Sequence, residues 1–187
     1  MESYKLQIAG LTRELELFDI GNDMKIAAFI MFSDVELCRH CAKELLNAVD
    51  QKGIAFDIIV TAETKGIPIA YEMSSQSGIN YTVARKSVKL YMKDPVKVNV
   101  RSITTDAEQT LYFSKKDADM IRGRRVLIAD DVISTGESLR ALEKLIEEVG
   151  GTVVAKAAAL AEGKAADRED LIYLEKLPLF DKDGNAL

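Results

Sequence analysis

The sequence predicts an α/β fold built on a mostly parallel, doubly wound sheet with helices on both faces. Three observations carry this. Residues 56–61 (FDIIVT) and 126–129 (VLIA) are short apolar runs rich in β-branched residues, the pattern of strands buried on both faces. Each run passes through a polar, glycine-containing loop into a stretch of helical periodicity, and strands alternating with helices imply a parallel sheet between helical layers. Polar and charged residues then gather at three strand ends, residues 61–66, 84–86 and 130–138, which a doubly wound sheet brings to one crevice.

Composition narrows the function classes. A chain of 187 residues fits one domain with a substantial core. Hydrophobic residues make up 48% and charged residues 29%, as in ordinary soluble proteins. A net charge of -5 argues against broad, sequence-independent nucleic-acid binding. No apolar run reaches membrane-spanning length and the start, MESYKLQIAG, lacks the pattern of a signal peptide. A cytoplasmic protein with neither membrane nor nucleic-acid partners is expected. Cys38 and Cys41 stand in C-x-x-C spacing around His40, the single histidine. Zinc needs about four ligands, and no second cluster supplies them. A redox pair is the alternative, but the surrounding VELCRHCAKELLNAV reads as an amphipathic helix with both thiols on one face, which predicts core packing. His40 is expected to face solvent.

In chain order, ELELFDIG mixes strand alternation with acids, and residues 25–32 (KIAAFIMF) form a dense apolar run expected to dock on the main sheet, its edge serving as a lid. Ser33 or Asp34 caps a helix over residues 35 to about 49, and Gly53 closes that region. After the strand at 56–61 come Glu63, Thr64, Lys65 and Gly66, a loop with a cation at a helix N-terminus, which suits a phosphate group. Pro68 fits the first turn of the next helix. Residues 80–84 (NYTVA) make a short strand closed by Arg85 and Lys86. Alternation at Val96, Val98 and Val100, and again at Thr110 and Tyr112, predicts a hairpin with its tip at 104–108. A flap that closes over a reactive ligand would explain such an excursion. The strand at 126–129 leads to a helix over 139–149 that stops at Gly150 and Gly151, and 152–161 form the next strand. Glu162, Gly163 and Lys164 lie at its ligand-side end. A strand at 171–174 and the apolar LPLF complete the core. No internal repeat or linker is visible.

Residues 126–138 (VLIADDVISTGES) carry the most chemistry. Asp130 and Asp131 end the apolar run, and two carboxylates are costly to bury, so they should face water or a polar ligand. Gly136 permits a tight turn and close approach of backbone to a ligand. The loop N–H groups, the helix N-terminus and the hydroxyls of Ser134, Thr135 and Ser138 make an anion site. Carboxylates can only accept, so they want a polyol or a cation. A sugar phosphate offers both halves. A Walker B strand is excluded because no G-x-x-x-x-G-K-[ST] loop occurs, and no G-x-G-x-x-G supports a dinucleotide fold.

This stretch closely resembles the 5-phosphoribosyl-1-pyrophosphate (PRPP) signature of type I phosphoribosyltransferases, and residues 56–164 are similar to the purine branch of that family. The likeness includes adenine and Bacillus-type xanthine phosphoribosyltransferases. TKGIPIAY and SITTDAEQTLYFSKK also look like the ligand-sensing domain of the purine operon repressor. The resemblance implies a core over about residues 54–164, a small hood from about 1–34 and 165–187, and a flexible hairpin. It implies that Asp130 and Asp131 hold the ribose hydroxyls and stabilise its developing positive charge, while the segment Val132, Ile133, Ser134, Thr135, Gly136, Glu137 and Ser138 cradles the 5′-phosphate. Glu137 departs from a position where glycine is common. Glu63, Thr64, Lys65 and Gly66 match the pyrophosphate loop, with Lys65 in place of the arginine of adenine enzymes. Arg85 and Lys86 add charge there, and Ser102, Thr104 and Thr105 would add hydroxyl contacts. Phe29 or Phe32 would stack on the base and Glu162 would touch it, while Lys164 is a donor suited to a 6-oxo group. Mg²⁺ would accompany PRPP, with Asp130 and Asp131 as the side chains nearest to it, and no side-chain metal site is assigned. The expected reaction joins a purine, adenine first and xanthine or hypoxanthine/guanine next, to PRPP. A non-catalytic PRPP-binding regulator is the competing class, and the presence of both aspartates and Lys65 favours an enzyme. A homodimer is the family expectation.

Overall fold

The structure is a computed structural model that describes residues 2–101 and 108–187. Three strands open the chain: β1 (Ser3–Ile8), β2 (Leu11–Gly21) and β3 (Met24–Ala27). Helix α1 (Val35–Gln51) follows, with Asp34 as its N-cap accepting a hydrogen bond from the Leu37 backbone N–H at 3.0 Å. The central units are β4 (Ile58–Ala62), α2 (Ile67–Ser77) and β5 (Tyr81–Ala84). A hairpin of β6 (Val96–Arg101) and β7 (Glu108–Phe113) leads to α3 (Lys115–Ile121). The chain continues through β8 (Arg125–Ile133), α4 (Glu137–Glu148), β9 (Thr152–Glu162), a 3₁₀ turn at Gly163–Asp167, β10 (Ile172–Leu177) and β11 (Phe180–Asp181).

The main sheet has five parallel strands in the order β10-β9-β8-β4-β5. From β4 the chain moves outward to β5, then returns to place β8, β9 and β10 on the other side. The order therefore reverses between β4 and β8, and an open sheet binds ligands outside the strand ends at such a point. Two apolar layers sandwich the sheet. Leu37, Cys41, Leu45, Ile69 and Met73 of α1 and α2 pack on one face with Ile59, Leu127 and Ala157. On the other face, Leu142, Leu145 and Ile146 of α4 and Phe113 of the hairpin meet Ile58, Val60 and Ile128. Full burial of Ile58, Ile59 and Val60 explains their unbroken apolar run.

Several expectations change. Residues 25–32 do pack toward the main sheet, since Ala27, Phe29 and Met31 share its apolar layer with Ile59 and Leu127, but β3 itself pairs with β2 and β11 in a separate four-stranded antiparallel sheet, order β1-β2-β3-β11. The acidic alternation of β2 suits it, since one face of such a sheet stays wet. Residues 165–187 do not all belong to this hood, because β10 pairs in parallel with β9 in the main sheet. The hairpin register is continuous from Val96↔Phe113 to Arg101↔Glu108, as the alternation predicts. Of its expected tip at 104–108, Glu108 begins β7, and the remainder, with Ser102, Thr104 and Thr105, lies outside the described residues. Helix α3 is unanticipated; Ser114 and Asp117 form a capping box at its start.

Candidate active site

Strand β8 does not end at Ala129. It pairs with β4 only from Val126 to Ile128, whereas its pairing with β9 runs on to Ile133↔Ala161. Asp130 and Asp131 therefore sit inside a strand with one side open, because β4, still paired with β5 through Ala62, no longer bonds to β8. The loop after β4 fills the gap. Gly66 approaches so closely that a Cβ on it would stand 2.3 Å from Thr61 Oγ1 and 2.6 Å from Asp130 Oδ1. Val132 and Ile133 continue the strand and pack into the two apolar layers, so their side chains are structural and only their backbone is left to the loop that follows.

Both aspartates line an open cleft, as expected of groups that face a polar ligand or water, but they are far from freely hydrated. Asp131 is 4% exposed and its Oδ2 has no hydrogen-bond partner among the described residues. Asp130 is half-buried and accepts from the Asp131 backbone N–H at 2.9 Å. Burial pushes the Asp130 carboxyl well above the usual carboxylate range, and the neighbouring Asp131 charge adds to this. A buried acceptor without a donor and a carboxyl that resists ionisation both ask for a cation or hydroxyl donors.

A cleft of about 390 Å³ opens over these groups and is lined by Ala62, Glu63, Thr64, Lys65, Lys86, Asp130, Asp131 and Ser138. The structure thus brings together residues from all three predicted strand ends. Glu63 pairs with neighbouring cations and N–H groups. Its carboxylate accepts from Arg85 Nη1 at 3.1 Å and from the Lys86 backbone N–H at 2.9 Å, and Lys89 Nζ lies 3.8 Å away. Burial pushes Glu63 up, but the Lys86 N–H and the Arg85 guanidinium outweigh it, and the carboxyl stays below its ordinary value. The Glu63 side chain thus positions Arg85 and the Lys86 backbone. The peptide between Glu63 and Thr64 is cis. Lys65 and Lys86 are exposed cations on the cleft.

Beside this cleft lies a second cavity of about 600 Å³, lined by Ser134, Thr135, Glu162, Gly163, Lys164, Ala165 and Arg168, with Ile20, Ile26 and Leu179 from the hood side. Gly136, with φ +74°, turns the chain into α4, and Glu137 is the first residue of that helix. Burial raises the Glu162 carboxyl above its ordinary value, and Lys65 partly opposes this.

A family model for the phosphoribosyl transferase domain matches residues 34–178. The chain belongs to the phosphoribosyltransferase family. An adenine phosphoribosyltransferase of Lachnoclostridium phytofermentans is 31% identical over 81% of this chain and 84% of its own. A xanthine phosphoribosyltransferase of Bacillus cereus is 30% identical over 89% of this chain and 86% of its own. A hypoxanthine/guanine phosphoribosyltransferase of Methanosarcina barkeri is 34% identical over 63% of this chain, and the match spans 57% of that relative's length. Among solved structures, adenine phosphoribosyltransferase from Thermoanaerobacter pseudethanolicus superposes with a TM-score of 0.70 at 22% identity, covering 87% of this chain and 95% of that one. The fold is that of the type I phosphoribosyltransferases.

Within this phosphoribosyltransferase the aromatic expectations divide. Phe29 is 2% exposed and packed in the core with Leu6, Ile8 and Met31, so its ring has no free face for a base. Phe32 is 46% exposed and remains available. Cys38 and Cys41 are buried free thiols, and burial pushes Cys41 up to about 12, which removes the redox reading. His40 is exposed, with Nδ1 3.2 Å from the Ala9 carbonyl. Two site features escaped the sequence reading: the role of Glu63 as a clamp, and Arg168, which lines the second cavity. Among the described residues no helix is long and apolar enough to cross a membrane.

Proposed function

We propose that this protein transfers the 5-phosphoribosyl group of PRPP to a purine base, giving a nucleoside 5′-monophosphate and pyrophosphate. The observation that carries the reading is the cleft at the switch point, where Asp130 and Asp131 face Lys65 and Lys86 beside the Ser134–Ser138 loop. In the reaction the bond from ribose C1 to pyrophosphate breaks and a bond to a purine ring nitrogen forms, while that nitrogen loses its proton. Asp130 and Asp131 hold the ribose hydroxyls and stabilise the positive charge developing on the ring. Lys65 and Lys86 offset the charge of departing pyrophosphate, and Glu63 holds Arg85 and the Lys86 backbone in place for it. The loop N–H groups and the start of α4 receive the 5′-phosphate.

Magnesium fits this donor set. The unpartnered Asp131 Oδ2 is a hard oxygen, and no group of three metal-ligating side chains exists among the described residues, so substrate oxygens would complete the shell. When bound, the ion neutralises pyrophosphate charge.

The base occupies the second cavity, over Glu162 and against the apolar side chains of Ile20, Ile26 and Leu179; Phe32, though exposed, is not among the residues that line it. Glu162 offers an acceptor for an exocyclic amino group and favours adenine. Lys164 in the same cavity favours a 6-oxopurine, which keeps xanthine and hypoxanthine/guanine as the second reading. A second copy of the chain is the proposed partner; Val88, Leu90 and Tyr91, exposed just beyond Arg85, give such a contact apolar surface.

The test is incubation with PRPP and Mg²⁺ plus adenine, xanthine, hypoxanthine or guanine, following nucleotide formation. Conversion of one base names the substrate. Binding of PRPP without turnover of any base would replace the enzyme by a regulator, and no binding would remove the reading of the cleft.

A further inference from the structure

One cation stands against the phosphate loop without belonging to any motif. Arg168 follows the 3₁₀ turn, far along the chain from the loop, yet a Cβ on Gly136 would stand 2.9 Å from its Nη1. Its other nitrogens are committed elsewhere: Nε donates to Asp170 Oδ1 at 2.9 Å and Nη2 to Asp170 Oδ2 at 2.8 Å. This bidentate fork fixes the guanidinium plane. Asp170 is itself anchored, because its Oδ2 accepts from Lys156 Nζ at 2.7 Å, and Lys156 also pairs with Glu143 of α4. Arg168, then Lys156, hold the Asp170 carboxyl at about 2. The network thus ties α4, β9 and the start of β10 to one guanidinium edge facing the loop. Ser134, Thr135 and Arg168 line the same cavity. The loop from Ser134 to Ser138 carries no cation of its own and includes the acidic Glu137.

Resting on the reading of this loop as a phosphate site, we propose that Arg168, held by Asp170, is a positioning residue for the substrate's 5′-phosphate. It braces the loop at Gly136 and supplies the positive charge that Ser134–Ser138 lacks. The left-handed backbone at Gly136, φ +74°, favours glycine there, and a side chain would also push the guanidinium aside.

The consequence is selective. Arg168→Met weakens binding of ribose 5-phosphate by roughly tenfold or more, the range expected for a charge-assisted contact, and raises the KM for PRPP more than it lowers kcat. Binding of inorganic pyrophosphate, which uses the other side of the cleft, changes little. Arg168→Lys recovers part of the affinity, and Asp170→Asn gives an intermediate loss because the fork is released. Calorimetric titration of ribose 5-phosphate and of pyrophosphate into wild type and the three variants reads all of this. Unchanged ribose 5-phosphate affinity in a folded Arg168→Met variant overturns the proposal. So does an equal loss for both ligands, which would mark a general structural role. A wild-type chain that binds neither ligand overturns the phosphate-site reading itself, a result distinguishable from either.

Discussion

Gly66 and Asp130 touch across the switch point: a Cβ at residue 66 would lie 2.6 Å from Asp130 Oδ1 and 3.3 Å from Asp130 Cα. The loop after β4 and the Asp130 carboxylate are therefore one packed unit, although the chain separates them by three strands and two helices. A methyl group cannot be absorbed here, since backbone and the buried Thr61 lie on the same side.

Gly66→Ala should accordingly destabilise the fold by about 1–3 kcal/mol, the usual range for overpacking, and lower Tm by a few degrees. The larger effect falls on activity, because the loop and Asp130 must move apart. Thermal unfolding together with steady-state kinetics checks this. Full activity would mean that loop and carboxylate are independent.

Asp130→Asn separates function from stability. Asp130 has its folded-state pKa raised, so the folded chain holds a proton that the unfolded chain has lost. Stability from this group therefore falls as pH rises above its unfolded value near 3.9 and levels off above the folded value. The amide removes that penalty without changing shape. At neutral pH the variant should melt a few degrees higher than wild type, with the gap closing below about pH 4, while turnover drops on the order of a hundredfold. Ligand binding should also release protons, since hydroxyl donors or a cation favour the carboxylate. Calorimetry in buffers of different ionisation enthalpy detects that release.

The sheet was legible because its strands are buried on both faces, so FDIIVT and VLIA need no alternation to stand out. The cleft followed from the same strands, since parallel strands put their loops on one side. Other features were hidden for physical reasons. The carboxylates at 130 and 131 break the apolar run, but the ladder to β9 continues through Val132↔Leu160, and a ladder leaves no mark in hydropathy. Helix α3 is too short for periodicity, and only the Ser114–Asp117 cap announces it. Phe29 and Phe32 sit in one apolar run, and only packing separates the buried ring from the exposed one. Arg168 meets Gly136 through tertiary contact alone.

The cysteines give a prediction that depends on packing. Cys41 is fully buried with its thiol pushed up to about 12 by desolvation, and Cys38 is raised by the same cause. Neither thiol should react with a thiol reagent at neutral pH until the chain unfolds, and added zinc should not bind them. Two thiols should then appear together across a denaturant titration, coincident with loss of helical signal. Rapid labelling of the native protein would show that the face of α1 opens.

Glu63 allows the last test, because its carboxylate organises cations rather than binding substrate. Glu63→Gln keeps the shape but weakens the hold on Arg85 Nη1 and removes the charge attracting Lys89. Two opposing effects follow. The cleft becomes more positive, which strengthens non-specific attraction of pyrophosphate. Arg85 and the Lys86 backbone lose their fixed placement, which weakens the contact that matters in the transition state. Positioning should win where chemistry is measured: kcat falls roughly tenfold, while affinity for free pyrophosphate holds or rises slightly, more so at low ionic strength. A variant that loses pyrophosphate affinity and kcat together would mean that Glu63 acts on the ligand directly, and the clamp would have to be abandoned.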